Sequence, residues 1–425
     1  MHKIMTAVLT AGLLVATPIA RHIDIQLLDA GVVMGATNTP TPSEGYAEAA
    51  EQLYLEPNGY DGSNFSILTT PEGAGGGSYV VGAQDLVDDV NSIGNSDGEI
   101  YVFGYSQSAD FTTIAAQSTQ DAPVHYVLVG DSAIPNGGFL TDHGWLGMYH
   151  VTDNEPSVYG DNPTDIYTFG YDKWADEPDY DYYRIAVTNA HDGGVLGHKM
   201  YLGLTPAEIQ NAPTITDGNV TYHEIPNQML PVLANDLENG AKGDAEYDLH
   251  QPVDQVKVDL GYGHLDQIVN GQVVANEFNT VPSNPGTEVR NILHRLPPGV
   301  TKAELHQTLT EARAIGEANY HDALTVPGYE GPAYNAAIEA THLVAAGVAA
   351  GDITPAQGAS LDAAIMSTWL SDGSSVDTAS ALASSLASSG APTADSVTDS
   401  LLHSGALLDP LPHIEAALQF LTGLF

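Results

Sequence analysis

Short strand-type runs alternate with helix-type runs from about residue 24 to residue 260, and this alternation constrains the fold most. The helix-type runs include Tyr46–Tyr54, Val80–Ile93 and Gln107–Ser118. Strands that alternate with helices in this way predict an α/β fold, with a doubly wound, mostly parallel sheet covered on both faces. The strand-type runs are Gly31–Met34, Asn64–Leu68, Ile100–Phe103, His125–Val129, Asp165–Phe169 and Val220–Ile225.

The composition divides the chain into four predicted parts. Residues 1–22 contain His2 and Lys3 before the apolar run Ile4–Ala20, which is typical of a secretory signal or short anchor, so we expect export to the medium or the cell envelope. Residues 23–265 form the α/β domain, 266–300 a polar linker, and 301–425 an Ala- and Ser-rich helical C-terminal region. The helices predicted in this last part are Thr301–Ala318, Tyr334–Ala350, Pro355–Leu370, Val376–Ser388 and Pro412–Leu424.

The charge balance restricts the class of partner. The chain has 54 Asp and Glu against 11 Lys and Arg, a formal net charge of −43. Such a surface repels phosphate backbones, so we expect no nucleic-acid partner and favour neutral or cationic substrates. The chain contains no cysteine, which excludes disulfides, thiolate metal sites and a cysteine nucleophile.

The segment Gly104-Tyr105-Ser106-Gln107-Ser108 directly follows the apolar run 100–103. The pattern Gly-x-Ser-x-Gly/Ser between a strand and a helix is typical of the nucleophile elbow of α/β-hydrolase-type folds. The turn is so sharp that only small residues fit two positions before and after the serine. It raises the hydroxyl to a helix N-terminus, where backbone N–H groups face developing negative charge. Ser106 is therefore a predicted nucleophile, and an ordinary N-cap serine is the alternative.

A serine nucleophile needs a base that is oriented by a carboxylate, and in this fold class the chain order is Ser, then Asp or Glu, then His. Asp172 and Asp176 lie just past the predicted strand Asp165–Phe169, where the acid belongs. His191 and His198 both follow in the required order. Spacing alone does not separate the two histidines.

Many short segments between about residues 31 and 263 occur in the order in which one protein family has them. They are Met34–Pro42 with Tyr46, Leu68–Glu72, Gly104–Ala109, Pro135–Gly138, Tyr171–Asp176, His198–Tyr201, Ile225-Pro226 and Val258–Gly263. Together they resemble the PE-PPE domain, an α/β serine-hydrolase module of mycobacteria and related actinobacteria. The family is named after an N-terminal PE or PPE helical region. In this sequence the export-type segment precedes the matching segments in place of that region.

The resemblance implies roles for individual residues. Ser106 would be the nucleophile, and His198, in the family's His-x-x-Tyr context, would be the base in preference to His191. Asp172 is the preferred orienting acid, ahead of Asp176 and then Asp165.

The resemblance also implies an oxyanion site and a reaction. The turn Gly35-Ala36-Thr37 resembles the family's glycine-rich loop. The backbone N–H of Ala36 or Thr37 would therefore donate a hydrogen bond to the oxyanion, together with the N–H of Gln107. The implied function is an esterase or lipase that cleaves acyl or lipid esters through an acyl-enzyme. The alternatives are a cell-envelope acyltransferase with the same triad, a non-catalytic surface protein, and a carbohydrate- or Ca²⁺-binding module.

We expect neither a cofactor nor a metal. The acidic run Asp176–Asp181 lacks the ligand spacing and the glycine of a Ca²⁺ loop. His191 and His198 are seven positions apart in a glycine-rich stretch, which is not the spacing of a helical zinc site.

Overall fold

The computed structural model of the chain describes residues 29–274 and 296–370, except for 63, 74, 95–97, 120–122, 136, 181, 194–195, 234–235, 237–240 and 298. The predicted signal or anchor segment 1–22 lies outside the described residues. So do the predicted helices Val376–Ser388 and Pro412–Leu424 and most of the predicted linker. Those four expectations remain predictions.

A seven-stranded sheet with the strand order β2-β1-β3-β4-β5-β7-β6 forms the centre of the molecule. Neighbouring strands are parallel except for the antiparallel pair β6–β7. The six predicted strands are present with small shifts at their ends; β6 was not predicted because its residues are mostly exposed and lack an apolar pattern. The strands are β1 Ala30–Val33, β2 Phe65–Ile67, β3 Ile100–Tyr105, β4 Val124–Val129, β5 Thr164–Phe169, β6 Thr214–Asp217 and β7 Val220–Ile225.

Helices cover both faces of this sheet. The helices are α1 Glu44–Ala50, α2 Gly76–Ile93, α3 Gln107–Ala116, α4 Phe139–Asp142, α5 Leu146–Tyr149, α6 Pro156–Tyr159, α7 Arg184–Gly193, α8 Leu196–Lys199, α9 Pro206–Gln210, α10 Ala241–Asp259, α11 Lys302–Thr325, α12 Pro332–Ala350 and α13 Pro355–Leu370. One core lies between the sheet and α2 and α3, and the other lies between the sheet and α1, α7, α10 and α12. The fold is therefore the predicted doubly wound α/β fold.

The central strand β3 shows why the sheet is buried on both faces. Its six residues are all buried, and successive side chains point into the two cores in turn: Val102 packs toward α2 and α3, whereas Tyr101 and Phe103 pack toward the opposite layer. Near-continuous apolar strands of this kind are stable only between two helical layers.

The C-terminal helices pack against the α/β domain. α12 crosses the short 3-10 turn Tyr201–Gly203 so closely that a Cβ on Gly203 would lie 1.8 Å from the carbonyl oxygen of His342. The hydroxyl of Ser43 also donates to the carbonyl oxygen of Ala349 at 3.1 Å. α12 therefore lies directly over the segment that carries His198.

The structure differs from the prediction at the start of the expected linker 266–300. A hairpin forms there from β8 (Gln267–Val269) and β9 (Gln272–Val274). Asn270 and Gly271 occupy its turn with φ values of 52° and 80°. Asn-Gly favours tight hairpin turns that need positive φ at both positions, and the general polarity of the stretch hid this local signal.

No helix among the described residues has both the length and the apolar character that crossing a membrane requires.

Candidate active site

Ser106 stands at the sharp turn between β3 and α3. Its φ of 57° and ψ of −119° are rare for a residue with a side chain, and such strain persists only where the surroundings enforce it. The N–H of Ser106 donates to the carbonyl oxygen of Val129 at 2.9 Å. The hydroxyl of Ser108 accepts from the N–H of Tyr105 at 2.7 Å and donates to the carbonyl oxygen of the same residue at 3.1 Å. These bonds hold the predicted elbow.

Two glycines make room at this turn. A Cβ on Gly104 would lie 2.9 Å from the backbone of Ala109, which agrees with the predicted need for a small residue there. Gly130 follows β4 with a φ of 58°, and a Cβ at that position would lie 3.0 Å from Cε1 of His198. Gly130 thus leaves the space that the imidazole occupies. This role was not predicted from the sequence, although a glycine directly after a buried strand was the available signal.

An unbroken hydrogen-bond chain joins three of the predicted residues. Nε2 of His198 lies 2.7 Å from Oγ of Ser106. Nδ1 of the same ring lies 2.8 Å and 3.0 Å from the two carboxyl oxygens of Asp172. Asp172 is fully buried, and His198 is partly exposed. The order serine, imidazole, buried carboxylate is the one that activates a serine hydroxyl.

Two further groups fix the Asp172 carboxylate. The N–H of Trp174 donates to Oδ1 at 2.9 Å, and the hydroxyl of Tyr201 donates to Oδ2 at 2.8 Å. Burial and the charge of Asp172 raise the pKa of the Tyr201 hydroxyl, which therefore keeps its proton and acts as a donor. Tyr201 is the tyrosine of the His-x-x-Tyr segment, and its role as a partner of Asp172 was not predicted from the sequence.

The alternative acids do not face the imidazole of His198. Oδ2 of Asp176 accepts the N–H of Tyr171 at 2.6 Å, in the turn that carries Asp172. Asp165 lies near the amino end of β5, away from the carboxyl edge that carries Ser106. There its carboxylate is 2.7 Å from Nε2 of His125 and 2.6 Å from Nε2 of His223.

The alternative base is also placed elsewhere. His191 lies in α7, where its Nδ1 is 3.8 Å from a carboxyl oxygen of Asp192. His198 lies in the separate short helix α8, and its Nε2 is within hydrogen-bond distance of Oγ of Ser106. The structure therefore places His198, the histidine that the family context favoured, next to Ser106.

The predicted oxyanion residues are adjacent. The hydroxyl of Thr37 lies 3.3 Å from Oε1 of Gln107, so the loop after β1 meets the elbow. This loop, which includes Ala36, is tight: a Cβ on Gly35 would lie 1.9 Å from the carbonyl oxygen of Thr39. Gln107 is the first residue of α3, and N–H groups in the first turn of a helix have no partner within it. Their use as oxyanion donors remains a prediction.

Glu72 is a buried carboxyl group beside this loop, and no role was predicted for it from the sequence. Its carbonyl oxygen accepts the N–H of Asn38 at 2.7 Å, and the hydroxyl of Thr70 donates to its Oε1. Its Oε2 is buried and accepts no hydrogen bond from the described residues. Burial raises the pKa of Glu72 to about 8, against the opposing effect of Thr70. The group is therefore mostly protonated near neutral pH.

Glu72→Gln is expected to flatten the pH dependence of stability. Because the pKa in the folded protein lies above the ordinary value of 4.5, the native state binds more protons than the unfolded state between these values. The contribution of Glu72 is thus present at low pH and is lost as pH rises toward about 8. Between pH 5 and 8 the variant should gain about 2 kcal/mol or more over wild type in free energy of unfolding. Chemical denaturation at several pH values measures this.

Glu48 is exposed, so Glu48→Gln serves as the matched control for Glu72→Gln. Its free energy of unfolding should follow that of wild type across the pH range. If the free energies of unfolding of Glu72→Gln and wild type run parallel from pH 5 to 8, the raised pKa is wrong.

The part of the chain that contains this site is similar to a known family. The family model described as "PE-PPE domain" matches residues 57–263, a range that contains Ser106, Asp172 and His198. No solved structure matches the chain.

Three relatives from Mycobacterium tuberculosis resemble the same part of the chain. The uncharacterized PPE family protein PPE28 is 31% identical over 55% of this chain and 39% of its own length. The protein named esterase PE16 is 29% identical over 54% of this chain and 48% of its own length. The PE family protein PE3 is 29% identical over 55% of each chain. The chain thus spans about half the length of the curated relatives it matches.

The family match, the relatives and the α/β fold agree with the resemblance found in the sequence. Residues 57–263 of this chain are therefore similar to PE-PPE domains.

Proposed function

We propose that this protein is a serine esterase that cleaves carboxylic esters through an acyl-enzyme on Ser106. The observation that carries the proposal is the hydrogen-bond chain from Oγ of Ser106 through His198 to the buried Asp172, at 2.7 Å and 2.8 Å. The relative that is named an esterase supports a hydrolase at the level of the family.

The proposed reaction has two halves. In the first, Nε2 of His198 takes the hydroxyl proton while Oγ of Ser106 attacks the ester carbonyl. The carboxylate of Asp172 accepts a hydrogen bond from the Nδ1–H group and stabilises the imidazolium. The imidazolium then gives its proton to the leaving alkoxide, and the acyl group remains on Ser106. In the second half, His198 deprotonates a water that attacks the acyl-enzyme, and the carboxylic acid leaves as Oγ regains its proton.

The oxyanion of each tetrahedral intermediate needs N–H donors that are already in position. We assign this role to the N–H of Gln107 and to that of Ala36 or Thr37. The contact between the Thr37 hydroxyl and the Gln107 side chain supports the assignment, because it holds the loop after β1 against the elbow.

An apolar surface next to the elbow supports acyl or lipid esters as the substrate class. Val80, Val81 and Met148 are 45%, 50% and 63% exposed, in α2 and α5, which contact each other. The amide of Gln107 donates to the carbonyl oxygen of Gly73 at 3.1 Å, so the loop that leads into α2 is fastened to the elbow. Exposed apolar groups beside a reactive serine suit an acyl chain more than a polar substrate.

Hydrolysis of p-nitrophenyl esters with short to long acyl chains tests the proposal. We expect release of nitrophenol, with an initial burst where deacylation is slower than acylation. A parallel reaction with a soluble alcohol separates the two fates of the acyl group, because acyl transfer gives a new ester and hydrolysis gives the free acid. If the protein shows neither hydrolysis nor acyl transfer, the result contradicts the proposal.

Asp172→Asn is expected to lower kcat by roughly 10²–10⁴-fold with a small change in KM. The amide keeps the shape of the carboxyl group but favours the wrong imidazole tautomer and no longer stabilises the imidazolium. Asp176→Asn, in the same turn, is the matched control and should stay within about tenfold of wild type. Steady-state kinetics on one ester measures both. If Asp176→Asn has the larger effect on kcat, the assignment of the acid is wrong.

A further inference from the structure

Three side chains of metal-ligand type meet where α10 ends. Asp259 is the last residue of α10, and the chain returns through Gly263, which has a φ of 88°, to His264 and Asp266. One ligand atom from each of these three side chains lies within 4.8 Å of the other two. The cluster is separate from the chain of hydrogen bonds that contains Ser106.

The two carboxyl groups of this cluster are buried without enough partners. Asp259 and Asp266 are each 2% exposed. Oδ1 of Asp259 accepts the hydroxyl of Tyr171 at 2.8 Å, and the side chain of Gln255 lies near the same carboxyl group. Oδ2 of Asp259 and both oxygens of Asp266 accept no hydrogen bond of normal geometry from the described residues. Within the described ranges, no lysine or arginine forms an ion pair with either group. Buried carboxyl oxygens without partners are costly, so this arrangement points to a missing ligand.

A proton alone does not complete the site. Two buried carboxyl groups this close to each other can hold one proton between them. One shared proton joins two of the three unpartnered oxygens and leaves the third without a partner. A cation between the two carboxylates and the imidazole of His264 satisfies all of them and balances the buried charge.

We propose that Asp259, His264 and Asp266 bind one divalent transition-metal cation of the Zn²⁺ or Mn²⁺ kind. Two carboxylates and one imidazole are a donor set that these ions accept. Ca²⁺ fits the cluster less well, since it takes about six to eight oxygen ligands. Metal–ligand bonds of roughly 2.0–2.2 Å place ligand atoms about 3–4.4 Å apart, which the observed cluster reaches with small side-chain movements.

The proposed cation has a structural role. Asp259 is bonded to the hydroxyl of Tyr171, and Tyr171 directly precedes Asp172. The N–H of Tyr180 also donates to the carbonyl oxygen of Gly261 at 2.9 Å, which joins the turn after α10 to the loop between β5 and α7 that also carries Asp172. A cation bound at the cluster therefore stabilises the segment that positions Asp172, without touching the substrate.

The test begins with protein that has been treated with a chelator and then dialysed against Zn²⁺ or Mn²⁺. Bound metal is measured per chain, and Tm is measured with and without the ion. Wild type is expected to bind about one ion tightly and to gain roughly 5 °C or more in Tm. Asp266→Asn and His264→Ala should each lose at least about tenfold in affinity, together with most of the gain in Tm.

His250→Ala is the matched control. His250 is an exposed histidine, and its Nδ1 lies 2.8 Å from a carboxyl oxygen of Asp236, so it reports adventitious binding to a surface His–Asp pair. This variant should keep the affinity and the gain in Tm of wild type.

The Tm of each metal-free variant shows whether it folds. If Asp266→Asn does not fold, His264→Ala carries the test, because that side chain is only half-buried. The proposal is overturned if chelated wild type binds no ion saturably. It is also overturned if a folded Asp266→Asn or His264→Ala binds the ion as wild type does. Because these readouts do not depend on ester hydrolysis, the proposal and the esterase function fail independently.

Discussion

Ser106→Ala is expected to lower kcat/KM for ester hydrolysis by roughly 10⁴–10⁶-fold. The substitution removes the hydroxyl oxygen that lies 2.7 Å from Nε2 of His198, and with it the covalent route. The residual rate comes from the oxyanion donors and from substrate binding. Because the lost hydroxyl belongs to the reaction and not to the core, the Tm should change by only a few degrees.

A serine in α2 provides the matched control for this loss. The exposed Ser92 donates to the carbonyl oxygen of Asp89 and lies at the far end of α2 from the elbow, so Ser92→Ala should keep wild-type kinetics. If Ser106→Ala keeps more than about a tenth of the wild-type kcat/KM, hydrolysis does not pass through Ser106.

His198→Ala is expected to lower kcat by roughly 10³–10⁵-fold, since Ser106 then has no base and the leaving alkoxide has no acid. His191→Ala is the matched control, because His191 lies in α7, beside Asp192, and should stay within a few-fold of wild type. Steady-state kinetics of the two variants on the same ester gives the comparison. Equal losses for the two histidines, or a larger loss for His191→Ala, contradict the assignment of the base.

Local sequence signals were enough to predict the sharp turn that carries Ser106. Gly104 and Ser106 stand between an apolar strand and a helix, and the sharp turn permits few residue types at these positions, so the pattern carries its own geometry. Asp172 could also be predicted as a candidate acid, because parallel strands bring their carboxyl ends to one edge of the sheet. The preference for Asp172 over Asp176 came only from the resemblance to a family.

The choice between His191 and His198 shows where spacing stops being informative. Both histidines follow the acid in the required order. Which of them reaches Ser106 depends on how α7 ends and how the separate helix α8 is set against β4. Gly130, which makes room for the imidazole of His198, contributes through a contact across the fold. Such contacts between distant segments leave no periodic signal in a single sequence.

The features that sequence reasoning missed share this long-range origin. The hydroxyl of Tyr201 reaches Asp172 across 29 positions, and the ligand-type cluster near Gly263 depends on a reversal of the chain after α10. α10 itself was not predicted, because Pro252 stands inside it and its polar residues hide its buried face. These features depend on how distant segments pack together, which local sequence patterns do not reveal.

Mass spectrometry of the protein after reaction with a fluorophosphonate probe tests the central claim most directly. The account predicts one covalent adduct per chain, located on the peptide that contains Ser106. It also predicts that labelling is absent in Ser106→Ala and strongly slowed in His198→Ala, because the probe reacts only with a serine that a base has activated. An adduct on a different serine, or no adduct on folded wild-type protein, contradicts the assignment of Ser106 as the nucleophile.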